Sequence, residues 1–246
     1  MKDSQDAYGH ELLDYWNGNP GHEIVERDDG HFSINLDTPQ IYFSQYEDWV
    51  PNEKKAIRFA RGRILDIGCG AGRMMLYMMQ KGMDVTGVDI SPLAVEVCRK
   101  RGLKKVEVLP ITQVNSSLGV FDTILLFGGN FGLLGNPKRA KWLLKKFYRM
   151  TSDKGRIIAV GCNPYMNRSR DSREYREFNR SRGKREGYYR FRIRYRKFVS
   201  PWQEWFLVSK REMQSLVSDC GWKVNRYLGS PDSPAYHAII DKRINR

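Results

Sequence analysis

Leu65-Asp66-Ile67-Gly68-Cys69-Gly70-Ala71-Gly72-Arg73 sets an acidic residue and three glycines at one tight turn. Ile64 to Ile67 read as a short buried strand, and from Ala71 a helical pattern begins with Met74, Met75, Met78 and Met79 on its apolar side. A strand that becomes a helix through glycines brings backbone N–H groups close to a ligand. Asp89 ends the next expected strand, Val85-Thr86-Gly87-Val88. A carboxylate roughly 20 residues beyond such a loop is placed to accept hydrogen bonds from both hydroxyls of a ribose. The pair points to a nucleoside cofactor.

Two details narrow the nucleoside. A dinucleotide fingerprint asks for a third small residue where this chain has Arg73. Asp66 weighs more, because a carboxylate beside the loop repels a pyrophosphate but pairs with an ammonium group. LDIGCGAGR followed by VTGVDIS resembles the class I S-adenosylmethionine-dependent methyltransferases, whose cofactor carries an ammonium and no phosphate. The likeness covers about Arg61 to about Cys162. It implies an α/β fold with a Rossmann-like, seven-stranded, mostly parallel sheet. It also implies that Asp66, Gly68, Cys69, Gly70, Asp89, Ile90, Thr112 and Phe127 surround S-adenosylmethionine.

The chain of 246 residues suits one elaborated domain, and 41% hydrophobic residues with 12% aromatic describe a globular protein. No apolar run is long enough to span a membrane. The N-terminus, MKDSQDAYGHELLDYW, has no apolar signal core, so a cytoplasmic protein is expected. Cys69, Cys98, Cys162 and Cys220 form no paired spacing and read as reduced thiols. His10, His22, His31 and His237 are equally scattered, so no metal site is argued. A net charge of +14 favours polyanionic or acidic partners, though only weakly.

Residues 1–60 read as an N-terminal extension, with turn chemistry at Asn17 to Gly21 and, at Asp28-Asp29-Gly30, a turn suited to a small hairpin. Tyr42, Phe43, Tyr46 and Trp49 form an aromatic series at helical spacing that Pro51 interrupts. Two readings stand: rings packed on the core, or a lid in which Tyr42 or Tyr46 covers the cofactor. Glu53 to Arg61 reads as a short amphipathic helix.

Strands are expected near 63–67, 84–89, 105–109, 121–127 and 155–161, alternating with helices near 71–81, 92–101 and 137–150, the pattern of a parallel sheet. Asp153-Lys154-Gly155 is taken as the turn into the fifth strand. The fourth strand runs into Gly128-Gly129-Asn130-Phe131-Gly132, where the resemblance puts the meeting of donor and acceptor. Asn130 is the only strongly polar side chain there, so it is a candidate catalytic residue or a loop asparagine bonding its own turn. The third strand departs from the family. Leu109-Pro110-Ile111-Thr112-Gln113 holds no acid for the adenine amino group, leaving backbone or the Thr112 hydroxyl.

The segment 165–208 reads as an insertion. Its first half is a charged loop or exposed helix, and Arg190-Phe191-Arg192-Ile193-Arg194-Tyr195-Arg196 then alternates as a strand. With a second strand near Trp202 to Val208 it makes an antiparallel hairpin cap. Its arginine face fits three readings: a solvated edge, a platform for an anionic acceptor, or a nucleic-acid clamp interrupted by Glu174, Glu177 and Glu186. Residues 209–241 close the methyltransferase domain of 61–246. The expected function is methyl transfer to a small-molecule acceptor. An RNA methyltransferase and a non-catalytic S-adenosylmethionine-binding protein are the alternatives, and the oligomeric state stays open.

Overall fold

The computed structural model describes residues 1–243. Along the chain run α1 (Ala7–Trp16), β1 (Ile24–Arg27), β2 (Phe32–Ile34), α2 (Gln40–Phe43), α3 (Pro51–Ile57), β3 (Ile64–Ile67), α4 (Arg73–Gln80) and β4 (Val85–Asp89). Then come α5 (Pro92–Lys100), β5 (Val106–Val108), β6 (Phe121–Leu126), α6 (Pro137–Arg149), β7 (Thr151–Cys162) and α7 (Arg170–Ser181). The last are β8 (Tyr188–Tyr195), β9 (Phe198–Val199), β10 (Gln203–Phe206), α8 (Lys210–Ser218), β11 (Trp222–Leu228) and β12 (Ala235–Lys242). One sheet has seven strands in the order β11-β12-β7-β6-β3-β4-β5. Its pairs β4–β5 and β6–β7 are parallel, whereas β12 runs antiparallel to β7 and β11. This is the expected class I sheet. A second sheet has the order β10-β8-β1-β2, with β9 also on β8.

The contacts divide the chain into two units. The first comprises Met1–Trp49, Leu65–Val114 and Arg190–Gln203. Here α5 is opened by Ser91, whose hydroxyl accepts from the Ala94 amide at 2.9 Å, and by Pro92, which needs no N–H at that position. Helix α4 starts at Arg73, two residues later than its apolar pattern, because Gly70 and Gly72 hold φ of +54° and +78° that no helix admits. Leu12 of α1 is fully buried with Ala71, Ala94 and Val97, and Tyr8, Tyr42 and Phe43 pack on that cluster.

The aromatic series is not one helix. α2 ends at Phe43 because Ser44 turns extended, its hydroxyl donating to the Ile41 carbonyl at 2.8 Å while Trp49 Nε1 donates to the Ser44 carbonyl at 3.2 Å. Nor does Pro51 interrupt a helix. It opens α3, so that helix begins two residues before Glu53 and ends at Ile57 instead of Arg61.

The insertion strand also behaves differently from an isolated hairpin. Within this unit β8 pairs antiparallel with β1, and the N-terminal turn at Asp28 to Gly30 joins β1 to β2 as anticipated. Phe191, Ile193 and Tyr195 are buried on one face of β8, as alternation requires.

The second unit comprises Val50–Ile64, Asn115–Tyr189 and the chain from Glu204. Phe121, Leu143, Leu144, Phe147, Ile157 and Trp222 are fully buried in it, and the Trp222 indole donates to the Leu144 carbonyl at 3.0 Å. The turn expected at Asp153-Lys154-Gly155 lies inside β7. Phe121 faces Thr151 but Thr123 faces Arg156, so the residues between bulge out of one continuous strand. Charged 170–181 is the helix α7, capped by Ser169. α8 carries a complete capping box between Ser209 and Glu212.

Candidate functional site

In the first unit the glycine loop is fastened to the end of β4. Gly68 and Cys69 donate their amides to the Val88 carbonyl at 2.8 and 3.2 Å, and Gly70 donates to Asp89 Oδ2 at 2.9 Å. The other Asp89 oxygen accepts from the Ser91 amide, also at 2.9 Å. The loop amides expected to face a ligand are therefore committed within the protein. The carbonyl partner of Gly68 and Cys69 belongs to the adjacent strand β4. With the Gly68, Cys69 and Gly70 amides committed, the loop offers few donors to a pyrophosphate and suits a cofactor without one.

Asp66 is buried, at 2% exposure, at the end of β3. Burial pushes its carboxyl up to about 7, with Arg73 opposing the shift and Asp89 adding to it. Burial also raises Asp89, against the Ser91, Gly70 and Ile90 amides that favour its charged form. Two buried acids beside one loop make a site that gains from a cation and from hydroxyl donors.

Cys69 has a thiol pushed up chiefly by its hydrogen bond with Cys98 and then by burial, while Cys98 Sγ donates to the Gly70 carbonyl at 3.0 Å. Cys69 is a buried thiol of the turn, and Cys98 is a buried thiol of α5 packed against it. Ile90 and Thr112 are exposed after β4 and β5.

Helix α1 contributes residues that sequence reasoning missed. Asp6 accepts from the Ser91 hydroxyl at 2.9 Å, the Leu93 amide at 3.1 Å and the Gly9 amide at 3.0 Å, so one carboxylate caps α1 and ties it to the start of α5. That tie sets the Tyr8 hydroxyl over Gly70, where a Cβ would lie 2.5 Å from it. Tyr42 packs edge-on to Tyr8 at 5.1 Å. Tyr46 instead stacks on Tyr77 of α4 at 4.3 Å, and Trp49 is buried beneath the Arg73 guanidinium at 5.2 Å. Glu11 and Glu23 are buried nearby, the Glu23 amide donating to Glu11 Oε1 at 3.0 Å. The signal available in the sequence is Asp6 ahead of a helical pattern, the position of an N-cap.

In the second unit Phe127 is buried at the end of β6, edge-on to His237 at 5.8 Å. Asn130 opens a 3₁₀ turn, Asn130–Leu134, and its amide donates to the Phe127 carbonyl at 3.0 Å. A Cβ at Gly132 would meet the Trp205 ring at 2.7 Å, so only glycine lets that ring approach. Among the described residues no cluster of His, Cys, Asp or Glu could hold a metal ion, and no helix is long and apolar enough to cross a membrane.

Residues 64–155 match the family described as "Methyltransferase domain". A 23S rRNA (uracil(747)-C(5))-methyltransferase of Pyrococcus horikoshii is 27% identical over 51% of this chain and 30% of its own length. An S-adenosyl-L-methionine-dependent Diels-Alderase of Talaromyces variabilis is 32% identical over 48% of this chain and 42% of its own. The chain thus spans less than half of either relative. The crystal structure of a SAM-dependent methyltransferase from Bacteroides fragilis with S-adenosyl-L-homocysteine superposes with a TM-score of 0.83, covering 99% of this chain and 98% of that one at 20% identity. Residues 64–155 thus match a methyltransferase domain, and the chain as a whole has the fold of the S-adenosylmethionine-dependent methyltransferases.

Proposed function

We propose that this protein transfers the methyl group of S-adenosylmethionine to a small-molecule acceptor. The observation that carries the reading is the pair Asp66 and Asp89 flanking a glycine loop whose Gly68, Cys69 and Gly70 amides are already bonded inside the protein. In this reading Asp66 holds the cofactor's ammonium group. Asp89 keeps lone pairs for both ribose hydroxyls while two amides orient it, and Ile90 and Thr112 flank the adenine. Tyr42 and Tyr46 form the lid, and Phe127 and Asn130 serve the acceptor.

The sulfonium supplies an activated leaving group. The protein's contribution is then alignment of acceptor and methyl carbon, which needs no nucleophile–base pair. The Cys69 thiol, pushed up by its hydrogen bond with Cys98 and by burial, agrees with that.

The arginines support a small acceptor over RNA, and they do not single out an anionic one. Arg192 donates twice to Glu26 at 2.8 Å, Arg194 shares the same carboxylate, and Arg190 and Arg192 lie over Trp202. In α7 and after it, Arg170 pairs with Glu174, Arg176 and Arg180 with Glu186, and Arg185 with Glu212. Guanidinium groups already matched to carboxylates offer little to a phosphate backbone. Incubation with methyl-labelled cofactor and cell extract, split into small-molecule, RNA and protein fractions, tests the reading. Label in the small-molecule fraction is expected. Label in RNA supports the nucleic-acid alternative, and cofactor binding with no label in any fraction supports a non-catalytic binding protein.

A further inference from the structure

The first unit has a pocket of about 130 Å³, with the loop Ser44 to Glu47 as one wall and α4 with the end of α5 as the others. Three cations line it: Arg73, Lys81 and Arg101. Arg101 is half-buried, and burial lowers its pKa, since a charge withdrawn from water is costly to keep. Its guanidinium donates to the Ala71 carbonyl at 2.5 Å and stacks over Phe43 at 4.9 Å. Lys81 lies over the Tyr77 ring at 5.6 Å. Among the described residues neither Lys81 nor Arg101 has a carboxylate within ion-pair distance, although most other cations of the cap and of α7 do. Arg73 reaches Ser44 Oγ at 3.4 Å, and Glu47 is the single acid in the lining.

Two unneutralised cations converging on a pocket with a third beside them fit an anion of more than one charge and several acceptor oxygens. The Tyr46–Tyr77 stack and Ser44 give that anion a polar aromatic wall. We propose that this pocket binds a phosphate ester group, which bridges the Ser44 to Glu47 loop to α4 and α5 and holds that loop in place. The site is distinct from the glycine loop, whose amides are bonded internally, and the proposal does not depend on which acceptor is methylated.

Inorganic pyrophosphate and a short single-stranded RNA serve as the two probes, one presenting phosphate in solution and the other along a chain. Hydrogen exchange of residues 44–49 and calorimetry are read for the wild type, Lys81→Gln and Lys81→Glu. Lys81 is exposed and, among the described residues, has no side-chain hydrogen-bond partner, so both variants are expected to fold. Pyrophosphate should slow exchange of 44–49, with sodium chloride of equal ionic strength having no effect. Lys81→Gln should weaken binding about fivefold and Lys81→Glu further, while cofactor affinity of Lys81→Gln stays at the wild-type value. A loss confined to the RNA arm assigns the phosphate to a nucleic-acid backbone. Equal affinities of wild type and Lys81→Glu in both arms, or unprotected 44–49 at saturation, overturn the proposal.

Discussion

Asp66 and Glu11 are both buried acids, yet their surroundings give them opposite uses. With its carboxyl near 7, Asp66 is partly protonated in the free protein at neutral pH. A cofactor ammonium prefers the ionised form, so binding should release a proton. Affinity should then fall about tenfold between pH 8 and pH 6, and Asp66→Asn should lose both the affinity and that slope. A pH-independent affinity in the wild type would remove Asp66 from the ammonium.

Burial, then the neighbouring Glu23, pushes Glu11 up to about 8. A folded-state value raised above the unfolded one means the native protein holds the proton more tightly. The stabilisation is complete below about pH 4.5 and is lost as pH rises through 8. Glu11→Gln cannot ionise and should be more stable than wild type at pH 9, by on the order of 3 kcal/mol, with the gap closing toward pH 5. Parallel denaturation curves across that range would contradict the coupling.

The strand β8 shows what alternation predicts and what it leaves out. Its buried face follows from Phe191, Ile193 and Tyr195, but the role of the opposite face depends on register with β1. There Arg192 stands directly across from Glu26, and Arg194 is its diagonal neighbour. The Arg192 hydrogen bond, with Arg194 reinforcing it, holds the Glu26 carboxyl down at about 2. Glu26 is 8% exposed, so removing both partners strands a charge that water barely reaches. Arg192→Gln with Arg194→Gln should therefore destabilise the protein by about 1–3 kcal/mol, discounted for the partial exposure of the arginines. Adding Glu26→Gln should restore most of the loss. Unchanged stability with lowered turnover would instead mark the arginines as acceptor contacts.

For the aromatic segment, a lid predicts that cofactor slows hydrogen exchange over 40–50 and changes Trp49 emission. Identical exchange with and without cofactor would make Tyr42 and Tyr46 ordinary packing.

At the scale of the whole molecule, the seven-stranded sheet was legible because β3, β4, β6 and the second half of β7 are buried runs alternating with helices, a signal local in sequence. The glycine loop and Asp89 were legible for the same reason. What escaped were links across long separations: the Asp6 tether to Ser91, the β1–β8 pairing and the bonding of loop amides to Val88. Periodicity carries no record of such partners. The α2 break escaped because a serine hydroxyl and an indole N–H, rather than Pro51, ended the helix.

The central claim joins this fold to one cofactor through two carboxylates, and titration calorimetry of S-adenosylmethionine into the wild type and Asp89→Ala tests it most directly. The account predicts a single site per chain in the wild type. In the folded variant it predicts a loss of roughly 10- to 150-fold, the worth of a charged hydrogen bond in a buried site. Binding of equal strength to both proteins would contradict it.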